Sequence, residues 1–95
     1  MLQEDSNKLS DKVHDLRRAI DSLREELEAI DHYEQRAEVC SDKELKKILL
    51  HNSNEEKEHA AMLSAWLKKN DPNFKKEFDE YMDEEGDITK KEEGH

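Results

Sequence analysis

A chain of 95 residues, 33% hydrophobic and 44% charged, has little apolar surface to set against the conformational entropy it loses on folding alone. Its 16 basic and 26 acidic groups leave a formal charge of −10, which repels nucleic-acid phosphates and anionic membranes and gathers cations instead. Two glycines and one proline in a mixture of Glu, Lys, Leu and Ala favour an all-α fold over strands.

The opening MLQEDSNKLSDK lacks the apolar stretch of a signal peptide, and no run approaches the roughly 18 apolar residues of a membrane span, so a soluble, cytoplasmic protein is expected. From Leu9 the apolar positions run Leu9, Val13, Leu16, Ile20, Leu23, Leu27 and Ile30. Alternating steps of four and three make a heptad seam on one long helix, extended by Tyr33 and Ala37. Ser6 or Asn7 is expected to cap its start, and it should end near Glu38. Cys40, the only cysteine, excludes an intrachain disulfide and reads as a small turn residue.

Ser41-Asp42-Lys43-Glu44 has the form of a capping box opening a second helix. That helix carries Leu45, Ile48, Leu49, Met62, Leu63, Trp66 and Leu67 and stops near Asn70, where Asp71-Pro72 reads as the cap and first residue of a third. Phe74, Phe78, Tyr81 and Met82 give the third helix one apolar face. Residues 1–86 are expected to form the helical domain, with 87–95 a polar tail, frayed helix or linker. The short connection between the two long helices predicts an antiparallel two-helix hairpin.

At 100° per residue, Leu45, Ile48, Leu49, Leu63, Trp66 and Leu67 share a sector about 100° wide on the second helix. Asn52, Glu56 and His59 fall in that sector. A carboxylate and an imidazole amid apolar residues need a partner: each other, a hydrogen bond, or a metal. Glu56-x-x-His59 places both on one face about a turn apart. With 16 glutamates and five histidines in the chain, that spacing alone is unspecific. On the first helix Glu26 flanks the seam, either looking inward or as a solvated carboxylate. Glu26 and Glu56 each stand 15 residues from Ser41, so an antiparallel hairpin brings them level.

Di-iron carboxylate bundles use one Glu from each of two helices and a Glu-x-x-His from each of the other two. This chain has one of each, so a second copy is needed to complete the set, pairing into a four-helix-bundle-like dimer and hiding seams a monomer leaves exposed. The control is His14, which follows Asp11 at the same i, i+3 spacing without a matched partner; no site is expected there.

Two segments, Glu25-Glu26-Leu27-Glu28-Ala29-Ile30-Asp31-His32-Tyr33-Glu34-Gln35-Arg36 and His51-Asn52-Ser53-Asn54-Glu55-Glu56-Lys57-Glu58-His59-Ala60-Ala61-Met62, resemble the encapsulated ferritins. The likeness continues through Trp66-Leu67 and Asn70-Asp71. The resemblance implies a half-ferritin whose ferroxidase ligands for iron are Glu26, Glu56 and His59, with Tyr33 close to the metals. It also implies a secondary site at Glu25 and Glu28 for calcium or another divalent cation. The implied assembly is a homodecameric ring of five dimers, carried inside an encapsulin nanocompartment whose shell protein is its partner and holds the iron mineral. Two departures stand out. His32 occupies a position where the family often has tryptophan, adding a further candidate ligand to the secondary site. The family's targeting peptide has no counterpart in Lys90 to His95, as expected of a truncated chain or of a domain fused to a shell protein. The competing reading is a non-catalytic, metal-clamped helical assembly module.

Overall fold

The computed structural model describes residues 2–83 and 85–93. A 3₁₀ turn at Ser6–Lys8 precedes α1 (Asp11–Val39), α2 (Lys43–Asn70), α3 (Pro72–Tyr81) and α4 (Ile88–Glu93). No strand forms among the described residues.

The helix ends follow local chemistry, with two corrections. α1 begins later than Ser6 or Asn7: Ser10 is the cap, its hydroxyl accepting the Val13 N–H at 3.2 Å. Asp11 then adds a carboxylate to the first turn, where the helix dipole favours it. Asp5 caps the separate 3₁₀ turn, and His14 Nε2 lies 3.0 Å from the Ser6 carbonyl, tying that turn to α1. α2 is capped by Asp42 rather than Ser41, its Oδ1 accepting the Leu45 N–H at 2.8 Å. A carboxylate is the stronger acceptor at a positive helix end. Asp71 and Pro72 open α3 as expected, with Asp71 accepting from the N–H groups of Asn73 and Phe74. Gly86, at φ +91°, supplies the left-handed residue between α3 and α4.

α1 and α2 pack side by side in opposite senses: Glu34 meets Ser53 and Lys57, and Glu26 meets His59. Each contributes a seam with alternating steps of three and four. On α1 it runs Leu16, Ala19, Leu23, Glu26, Ile30, Tyr33, Ala37, and on α2 Lys46, Leu49, Ser53, Glu56, Ala60, Leu63, Leu67, all buried or half-buried. Glu26 therefore lies in the seam and does not flank it. Ala19, Ala37 and Ser53 are small and buried, which suits close approach of the two backbones.

A second apolar stripe stays open to solvent. Val13, Ile20 and Leu27 on α1, and Leu45, Ile48, Met62 and Trp66 on α2, are exposed, Leu27 at 55% and Met62 at 63%. The 100° sector read from the sequence thus divides, because one neighbouring helix covers only a narrow stripe. The surface area, 7718 Å², is roughly a third above the about 5,700 Å² typical of a compact monomer of 11.3 kDa. The radius of gyration, 17.3 Å, likewise exceeds the roughly 12 Å of a compact chain this long.

α3 folds against the end of α2. Lys68 Nζ reaches Asp79 at 2.7 Å between the two helices, and the Phe74 and Phe78 rings stand 5.3 Å apart on one face. Tyr81 joins that half-buried face, but Met82, expected on it, is 65% exposed. Of the choices open for the tail, a short helix α4 is the one formed; residues 94 and 95 lie outside the described set.

Candidate metal centre

Midway along the seam, a carboxylate from α1 and a carboxylate and imidazole from α2 converge. His59 Nδ1 lies 3.4 Å from Glu56 Oε2 and 3.5 Å from Glu26 Oε2, and one donor atom from each residue falls within 4.8 Å of the others. Nitrogen and oxygen ligands about 2.0–2.2 Å from a shared ion stand roughly 3 to 4.4 Å apart. Both imidazole–carboxylate spacings lie inside that range.

The hydrogen bonding around these groups is incomplete. Glu26 Oε2 is buried and has no hydrogen-bond donor among the described residues. The 3.5 Å approach of His59 is close enough for an ion pair but outside hydrogen-bond geometry. One imidazole nitrogen carries at most one hydrogen, so it can satisfy at most one of the two oxygens facing it. Two carboxylates this close, 23% and 24% exposed, also repel more strongly than in open water. A cation between them answers both deficits, and the donor set of two carboxylates and one imidazole suits a first-row divalent metal. His59 is 48% exposed, so the cluster opens on one side, toward Met62 and Trp66 of the solvent-facing stripe.

The other candidate residues are more dispersed. Among the described residues, Glu26, Glu56 and His59 form the only group of three or more metal-ligating side chains that converges. Glu25, Glu28 and His32 lie exposed on α1, with His32 Nε2 3.8 Å from Glu28 Oε1. Tyr33 is half-buried two turns along the seam from Glu26, with the Arg36 guanidinium 5.7 Å from its ring centre. Asn52 is half-buried, while His51 lies 3.6 Å from Glu55 on the surface. Cys40 sits at the turn, its thiol 3.5 Å from the Asp42 carbonyl. His14 bonds to the 3₁₀ turn rather than pairing with Asp11.

Sequence reading missed a polar network one turn from the cluster. Ser53 is fully buried, and its hydroxyl donates to Glu34 Oε1 at 2.7 Å; Lys57 Nζ donates to the same oxygen at 2.9 Å. Lys57, and then Ser53, hold the Glu34 carboxyl below the usual glutamate range. The signal was available: Ser53 stands seven residues before Ala60 and fourteen before Leu67, in the same heptad position.

The chain is similar to several known proteins. The EncFtn-like family model matches residues 1–85. The chain belongs to the EncFtn-like family. The EncFtn-like chain is 47% identical over 81 residues to the encapsulated ferritin-like protein of Rhodospirillum rubrum, covering 85% of this chain and 58% of that protein. It is 42% identical over 90 residues to a ferritin-like protein of Thermotoga maritima, covering 95% of this chain and 79% of that one. The EncFtn-like fold also superposes on the crystal structure of a Nitrosomonas europaea protein with a TM-score of 0.88 and 54% identity, covering 92% and 96% of the two chains. No described helix is long and apolar enough to cross a membrane.

Proposed function

We propose that this chain supplies half of a ferroxidase centre, with Fe(II) as substrate and dioxygen as oxidant. The observation carrying this reading is the convergence of Glu26, Glu56 and His59 within 4.8 Å around a buried carboxylate oxygen that has no donor among the described residues. Two copies, joined through the exposed stripe, would face two such clusters toward each other and hold a pair of irons. Hard carboxylate oxygens favour Fe(III) over Fe(II), which drives loss of one electron from each iron to dioxygen. Tyr33, on the same seam, would hydrogen-bond a ligand or donate an electron. Glu25, Glu28 and His32 would form an outer site that takes calcium or another divalent cation along the route to the centre.

The names of two relatives, one encapsulated ferritin-like and one ferritin-like, support an iron-handling role; for this chain the setting would be an encapsulin nanocompartment in the cytoplasm. There the dimers would form a decameric ring, and the shell would hold the mineral. Residues 1–86 would be the working unit, with 87–95 a tail or linker.

The test is stopped-flow oxidation of Fe(II) with oxygen uptake, alongside light scattering with and without Fe(II). Wild-type protein is expected to consume oxygen in proportion to added iron. Alanine at Glu26, Glu56 or His59 should reduce this to the rate of free iron. Iron-dependent assembly without oxygen uptake would instead favour the non-catalytic, metal-clamped module.

A further inference from the structure

The interface between α1 and α2 is held mainly by apolar contacts, which are non-directional and do not by themselves fix how far one helix slides along the other. Ser53 breaks this pattern. It is fully buried in the seam, and it and Lys57, on successive turns of α2, both donate to Oε1 of Glu34 on α1. Ser53 lies one turn before Glu56 and Lys57 immediately after it, so the two donors bracket the turn that carries the ligand. A slip of one residue shifts α2 by about 1.5 Å and turns it by about 100°. That slip removes the acceptor from a buried hydroxyl and carries His59 away from Glu26.

We propose that Glu34, Ser53 and Lys57 form a register clamp: positioning residues that fix the level at which Glu26 meets Glu56 and His59. The clamp rests on the reading of those three residues as a metal centre. Its members act through the helices they lock and do not themselves hold the metal.

Co(II) titration of the full chain, followed by visible absorption, tests the clamp through both affinity and ligand geometry. Ser53→Ala and Glu34→Gln are expected to weaken Co(II) binding about tenfold, the lower range for residues that orient metal ligands, and to alter the cobalt band. Lys57→Met should follow them, and Lys57→Arg should restore wild-type behaviour. Lys68→Met, which removes the comparable bridge between α2 and α3, should leave affinity and band unchanged even where it lowers the melting temperature. Wild-type affinity and spectrum in both Ser53→Ala and Glu34→Gln would overturn the clamp. Failure of the underlying site gives a different result, in which wild-type and Glu26→Gln protein bind Co(II) equally, and it removes the clamp with it.

Discussion

α2 carries two stripes one residue apart, with different fates. One runs through Leu49, Ser53, Glu56, Ala60, Leu63 and Leu67 and is covered by α1; the other runs through Leu45, Ile48, His59, Met62 and Trp66 and is left exposed. Both stripes mix apolar and polar residues, but the covered one has the alanine and serine that let helices approach. Burial here follows shape as much as hydrophobicity. The candidate metal-binding cluster straddles the boundary: Glu26 and Glu56 lie in the covered seam, while His59 lies on the open stripe. Folding of one chain thus positions the two carboxylates, while His59 stays open to solvent.

This contrast can be broken from either side. The largest expected effect is at Leu67, which is 1% exposed: Leu67→Ala should cost about 2–5 kcal/mol of stability, as is usual for a buried leucine. Chemical denaturation would show that loss at every protein concentration. Leu27→Lys, on the open stripe, should leave the isolated chain's unfolding nearly unchanged but weaken self-association by about 2 kcal/mol, the scale of a central interface contact. Sedimentation equilibrium would detect the shift toward monomer. If Leu27→Lys destabilised the dilute chain as much as Leu67→Ala, the division into two stripes would be wrong.

The smallest effect is in the pH dependence. Glu34 is held below the ordinary glutamate value of 4.5 by Lys57 and Ser53, so its folded state favours the ionised form. Its contribution is complete above that value and disappears as pH falls through the lowered one. Asp79, held down first by Lys68, adds an acid limb of the same sign. Lys68 is correspondingly raised by Asp79, so its share is complete below the ordinary lysine range and lost only as pH rises through the raised value. Melting curves below pH 4.5 should show a shallower acid limb in Glu34→Gln than in wild type. An unchanged limb would mean that Glu34 contributes nothing in solution.

The helices, the Asp71-Pro72 boundary and the equal distances of Glu26 and Glu56 from the turn are legible along the chain, because propensity, capping and rise per residue are local properties. The Glu-x-x-His spacing did not identify the site, since the same spacing recurs at Glu92 and His95. Position in the stripe made Glu56 and His59 candidates. Which apolar stripe α1 covers, the place of Glu26 in the seam, and the joining of Ser53, Glu34 and Lys57 across it came from packing. Those outcomes depend on how closely two helix backbones approach and on which side chain lies opposite which, and neither is encoded in the periodicity of one helix taken alone.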